Sequence, residues 1–164
     1  MITWHIKPFD DLTPLEVQRI HILRNEVFIV EQKCVYQDAD KHDETSAHIM
    51  AWQESELVAT ARLMPPGAVC EESSIGRVVT QPSVRGSGVG RELMAKSIEA
   101  TLALYPNTAI RIGAQHYLQT FYESFGFVPV GETYMEDGIL HIQMIFSNAK
   151  MQILSPDFSV DRMS

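Results

Sequence analysis

The sequence predicts a mixed α/β domain in which strands and helices alternate without a strict βαβ repeat, in the order β-α-β-β-β-α-β-α-β-β. Three observations support this. Thr13-Pro14-Leu15-Glu16 is a capping box with proline at the first helical position, which starts a helix firmly. A β-branched run ending at Thr80 feeds a glycine-rich loop at 85–90 and then a periodic apolar stretch. Near the end, two apolar runs flank the turn Asp137-Gly138.

Residues 3–7 alternate as a short strand. The first helix follows, and Ile20, Leu23, Val27 and Val30, spaced three and four apart, form its expected inner face. From 32 to 46 the periodicity collapses into a polar loop holding Asp38, Asp40, Asp43 and Glu44. Strands are expected at 48–52 and 57–63, the second with Leu57, Ala59, Ala61 and Leu63 on one face, then at 75–80. Gly76 within that third strand signals a bulge or a close backbone approach. The second helix runs to about 105 on Val89, Leu93, Met94, Ile98 and Leu102. A strand at 109–113, a short helix at 117–125 closed by Gly126, and strands at 127–130 and 139–146 complete the order. Residues 1–146 read as one domain, and 147–164, without periodicity, as a C-terminal tail.

Composition narrows the function. The chain has 164 residues, 45% of them hydrophobic, and 13 basic against 21 acidic residues give a net charge of −8 and a pI near 5.1. That balance speaks against a nucleic-acid partner, which needs a basic face. No apolar run approaches the roughly 18 residues of a membrane span, and the N-terminus has no signal-peptide pattern. Cys34 and Cys70 are too far apart for a Cys-x-x-Cys motif, so a reduced, cytoplasmic protein is expected.

Chemistry concentrates in Arg85-Gly86-Ser87-Gly88-Val89-Gly90, between a strand and a helix. There, backbone N–H groups can converge on an anion at the positive end of the helix dipole; the plainer alternative is a turn relaxed by glycine. A Walker loop would need Gly-Lys-Ser/Thr, which is absent. A dinucleotide fingerprint fails because Arg91 occupies the third glycine position, and no acidic residue follows near 105–110. The loop still suits a pyrophosphate. As a calcium loop, 38–49 would place Asp43 at the required glycine and Ile49 at the final glutamate, so it fails. His42 and His48 have no zinc partners at ligand spacing, and no metal is expected.

Arg85-x-x-Gly88-x-Gly90 after the β-branched strand, followed by Phe121-Tyr122-Glu123-Ser124-Phe125-Gly126-Phe127, resembles the GNAT superfamily of acyl-CoA-dependent N-acetyltransferases. The block 23–32, then Tyr36, Asp40, Asp43 and His48, and Gly76-Arg77-Val78-Val79, is similar to its ElaA-like branch. The resemblance covers residues 1–146. It implies a mixed, mostly antiparallel sheet of six to seven strands, splayed in the middle and flanked by about four helices. It further implies transfer of an acetyl group from acetyl-CoA directly to an amine, with no acyl-enzyme, no metal and a possible homodimer.

Carried onto this chain, the resemblance places the CoA pyrophosphate on the amides of Arg85, Gly86, Ser87, Gly88, Val89 and Gly90, and the pantetheine on the main chain of Val78, Val79 and Thr80. Gln115 stands where many members have an asparagine contacting the cofactor. Tyr122 becomes the proton donor to the leaving thiolate, against the alternative of one more core aromatic beside Phe121, Phe125 and Phe127. The strand before the loop offers Arg77 where members often carry a basic glutamate, so His116, Glu31 and, through water, Asp40 or His48 are the candidates for general base. Arg24, Phe28, Glu31 and Asp40 are expected on the acceptor side, although Arg24 could instead pair with Asp40 or Asp43 to close the loop. The acidic loop leans toward a cationic acceptor such as a polyamine. Arg24 and Phe28 followed by Asp40-x-x-Asp43 are also similar to acyl-homoserine lactone synthases, and a non-catalytic acyl-CoA sensor is the alternative from another class.

Overall fold

A computed structural model describes residues 1–147, so the expected tail lies outside the described residues from 148 onward. The chain forms two compact units, Met1–Met64 with Gly76–Ser97, and Pro65–Ile75 with the chain from Ile98 onward.

In the first unit, β1 (Ile2–Pro8) pairs antiparallel with β2 (Ala47–Gln53), and β2 with β3 (Glu56–Met64). Pro8 is tolerated because β1 is an edge strand. Helix α1 (Pro14–Arg24) begins on the full capping box: Thr13 Oγ1 accepts from Glu16 N at 3.1 Å, and Thr13 N donates to Glu16 at 2.8 Å. Ile20 and Leu23 pack with Val27, Met50, Leu57 and Val79 into the unit's core. Both faces of β3 are covered, since Val58, Thr60, Arg62 and Met64 are as buried as the expected apolar set.

The helical chain does not continue in α register past Arg24. Residues Asn25–Glu31 form a π-helical segment, and Gln32 N donates to the carbonyl of Val27, five residues back, at 2.9 Å. The widened turn changes the angular step per residue, so the expected inner face drifts. Val27 stays buried, whereas Val30 emerges to 71% exposure.

Strand β4 (Ser73–Thr80) and helix α2 (Val89–Leu104) each run from one unit into the other. Val89, Leu93, Met94, Ile98 and Leu102 are all buried, as their spacing predicts. In the second unit Ser73 and Ser74 pair in parallel with β5 (Ile110–Gln115), which pairs antiparallel with β7 (Ile139–Phe146), and β7 with β6 (Val128–Glu136). Strand β6 is longer than expected. A register shift between Val130 and Tyr134, around Gly131, lets it bend and resume pairing up to the Asp137-Gly138 turn. The short helix is split into a 3-10 turn, His116–Leu118, and α3 (Gln119–Glu123). Among the described residues, seven strands and three α-helices make the mixed α/β class that was expected.

Candidate active site

In the first unit, the bulge or close approach signalled at Gly76 is a close approach, with unusual backbone at its neighbour. A Cβ at Gly76 would meet Met64 Cε at 3.0 Å. The unusual backbone belongs to the next residue, Arg77, at φ 51 inside a strand. Val78, Val79 and Thr80 follow directly, Val79 buried and the other two half-buried.

The glycine loop then presents backbone outward. Gly86 and Gly88 sit at φ 81 and 92, with nothing within 4 Å of where a Cβ would stand. Glu92 N donates to the Gly88 carbonyl at 3.0 Å, so the amides of Gly88, Val89 and Gly90 precede the first intrahelical bond of α2. The amides of Arg85 and Ser87 are spent within the turn, donating to Pro82 and Val84 at 3.3 Å each. Open backbone and the helix N-terminus together suit an anion. Arg85 reaches Glu31, at the end of the π segment, with 2.7 Å between Nη1 and Oε1, both side chains partly exposed.

The loop at 32–46 is not a solvated acidic surface. Arg24, 1% exposed, donates from Nε to Asp38 at 2.7 Å and from Nη1 and Nη2 to Asp43 at 2.8 and 3.2 Å. Arg62 on β3 donates to Asp40 at 2.6 and 3.0 Å and to Asp43 at 3.0 Å. Three arginines, with Arg77, thus meet three aspartates. Asp43 would be raised by its burial, but the hydrogen bonds and charges of Arg24 and Arg62 bring it down to about 2. Asp40 is likewise held below the usual carboxylate range: burial opposes this, and Arg62 and Arg77 prevail. His48 is pushed down chiefly by burial, and its Nε2 donates to the Asp43 carbonyl at 2.9 Å while Nδ1 is a buried atom without a hydrogen bond. Arg24 is therefore in the pairing arrangement, sealed from any acceptor. A depressed Asp40 and a buried His48 make poor bases. Phe28 packs partly buried against the core of Ile20, Leu23 and Val27.

In the second unit Tyr122 on α3 is 7% exposed, packed edge-on against Phe121 at 5.2 Å and Phe127 at 6.1 Å. Burial pushes its phenol up to about 12, with a smaller contribution from Tyr117. Tyr122 is thus packed among the core aromatics, with its hydroxyl kept protonated by burial. Gln115 ends β5 half-buried, and His116 beside it is exposed.

The π segment, the strained Arg77 and the partnership of Arg24 with Asp38 were not anticipated. The one available signal was three arginines, at 24, 62 and 77, to set against the three aspartates of the loop, Asp38, Asp40 and Asp43. Among the described residues no group of three or more His, Cys, Asp or Glu could hold a metal, and no helix is long and apolar enough to cross a membrane.

The chain is similar to known proteins in both sequence and fold. The chain is 43% identical over 146 residues to Protein ElaA of Escherichia coli K12, covering 88% of this chain and 95% of the relative. The crystal structure of Escherichia coli ElaA superposes with a TM-score of 0.85 at 42% identity, over 90% of this chain and all (100%) of that one. An acyl-CoA N-acyltransferase from Pseudomonas aeruginosa gives a TM-score of 0.86 at 40% identity, with the same 90% and 100% coverage. A CoA-dependent acyl-homoserine lactone synthase matches at TM-score 0.72 but 16% identity, over 99% of this chain and 90% of that one, a likeness of fold alone. The family model described as acetyltransferase (GNAT) domain matches residues 10–147, spanning the strained strand, the open glycine loop and the buried tyrosine alike, and the chain belongs to that family, in its ElaA-like branch.

Proposed function

We propose that the protein transfers the acetyl group of acetyl-CoA directly to an amine of a small-molecule or peptide acceptor. The observation that carries this reading is the open glycine loop: nothing lies within 4 Å of where a Cβ of Gly86 or Gly88 would stand, and the amides of Gly88, Val89 and Gly90 precede the first intrahelical bond of α2. Acetyl-CoA supplies an activated thioester. The amides of Gly86, Gly88, Val89 and Gly90 hold its pyrophosphate, and the main chain of Val78, Val79 and Thr80 holds the pantetheine. A backbone N–H at Gly76–Val78, where Arg77 takes a positive φ, polarises the thioester carbonyl. Tyr122, protonated up to about pH 12, donates from its hydroxyl to the departing sulfur. Gln115 contributes a polar contact to the cofactor. The candidates for the base that takes the proton of the attacking amine are His116 and Glu31, both exposed, Glu31 once Arg85 releases it.

Direct transfer fits the cysteines. Cys34 is buried, and burial together with Glu72 pushes the Cys70 thiol up, so neither is a ready nucleophile. The polyamine preference loses its basis, because Asp38, Asp40 and Asp43 are neutralised by arginine. The family match runs through both units, which supports residues 1–146 acting as one catalytic domain.

The test is release of CoA thiol from acetyl-CoA with polyamines, amino sugars, amino acids, aminoglycosides and lysine peptides, against a control without acceptor. Release with one class establishes the reaction and its acceptor. Acetyl-CoA binding without release on any amine supports a non-catalytic acyl-CoA-binding protein instead. Tyr122→Phe should lower kcat on the order of a hundredfold while acetyl-CoA affinity holds. Unchanged turnover would remove Tyr122 from the mechanism.

A further inference from the structure

We propose that Arg77 is a positioning residue: its side chain, clamped by the buried ionic cluster, holds the β4 main chain in the positive-φ conformation that sets the backbone at Gly76–Val78. This rests on the acyl-transfer reading for its consequence, though not for its geometry.

Arg77 adopts φ 51 in the middle of a strand, a conformation that L-residues with long side chains rarely take. Such a conformation persists only where the surroundings over-determine it. Here the surroundings are visible. The Arg77 guanidinium donates to the Asp38 carbonyl at 3.1 Å and to Asp40 Oδ2 at 3.5 Å, and stands over the Tyr36 ring with Cζ 5.5 Å from its centroid. Its Nε is 2.9 Å from Asp38 Oδ1, an ion-pair approach whose angle falls short of a hydrogen bond.

The anchors are themselves fixed. Asp38 takes the Nε–H of the buried Arg24 at 2.7 Å and the hydroxyl of Tyr36 at 2.9 Å. Asp40 is forked by Arg62. On the other side, a Cβ at Gly76 would stand 3.0 Å from Met64 Cε, so the side chain of Met64 would have to give way to any larger residue there. A charge-balanced block therefore grips Arg77 from one side, while Gly76 packs closely against β3 on the other. Without the guanidinium, the residue is free to fall back to ordinary β geometry, which would turn the next amide away.

The experiment has two independent readouts. In the free protein, backbone amide signals of residues 76–79 should shift in Arg77→Ala and largely return in Arg77→Lys, which keeps a charge within reach of Asp38 and Asp40. With an accepted amine, Arg77→Ala should lose kcat on the order of tenfold to a hundredfold while the Kd for acetyl-CoA changes little, the signature of misplaced chemistry and not of lost binding. Asp38→Asn should repeat both effects, and Arg111→Ala, which breaks an unrelated ion pair with Glu72, should show neither. Circular dichroism confirms that each variant folds. Unmoved amide signals in Arg77→Ala overturn the proposal, as does a kcat within twofold of the parent. Shifted signals in a protein that binds no acetyl-CoA would leave the positioning role standing and sink the acyl-transfer reading instead.

Discussion

The loop at 32–46 and the loop at 85–90 both stand out in the sequence as chemically loaded, and they end in opposite states. The first has its aspartates turned inward, Asp38 and Asp43 each 5% exposed and bound to arginine. The second turns bare backbone outward and spends only the amides of Arg85 and Ser87 on itself. Side-chain charge reports function only after its partners are known. Backbone chemistry enforced by glycine reports it earlier, because nothing else in the chain can use it up.

The largest effect that separates the two belongs to Arg24. Arg24→Ala strands Asp38 and Asp43 in the interior, and removing one partner of a buried ion pair costs about 3–5 kcal/mol. Urea unfolding should show that loss, with acetyl-CoA affinity reduced only through the unfolded fraction. A loss below about 1 kcal/mol would mean that the cluster is a surface feature after all and would erase the contrast.

Acid should attack the same cluster and spare the glycine loop. The Asp43 carboxyl is depressed from its ordinary 3.8 to about 2, so its contribution is complete above pH 3.8 and is lost as pH falls toward 2, about 2 kcal/mol in all. His48 acts earlier. Its folded value is depressed from 6.5, so below that pH the unfolded chain binds the proton more readily and stability begins to decline. Unfolding free energies at pH 7, 5 and 3 should fall in two stages, and Asp43→Asn should flatten the second. A parent and variant with the same slope between pH 4 and 2 would remove Asp43 from the account.

How much of this was legible depends on the range of the interactions. The capping box at Thr13 and the Asp137-Gly138 turn were readable because each closes within four residues, and the buried face of α2 because one period governs it throughout. Val30 was misplaced because a single π segment resets the phase, and the 3.6-residue rule carries no warning of it. Arg24 and Asp38 lie 14 residues apart, and Arg77 and Asp38 39 apart. No local pattern pairs them. The close approach expected at Gly76 is there, with a neighbour crowding the missing Cβ, but nothing in the residue type signalled that Arg77 beside it would take the positive φ. In the candidate site, the glycine loop and Tyr122 were readable as motifs, whereas the clamp around the strand needed the third dimension.

The glycine loop supplies the smaller test and the more discriminating one. At Gly88, φ is 92 and the space beyond the missing Cβ is empty, so Gly88→Ala meets no steric clash but carries the backbone strain of a positive φ, about 1–2 kcal/mol. Relief of that strain would turn the loop amides, and on the proposed reading acetyl-CoA affinity should fall about tenfold, or roughly 1.4 kcal/mol. Gly90 is the internal control. Its φ is ordinary, and an added Cβ would rest 3.8 Å from Thr80 Cγ2. Gly90→Ala should therefore keep the fold and hold most of the affinity. Calorimetric titration of both variants with acetyl-CoA distinguishes a binding loop from a turn: the two alanines must differ in affinity and not in stability alone. Equal affinities would mean that the open backbone faces nothing, and the difference between the two loops would reduce to one of exposure.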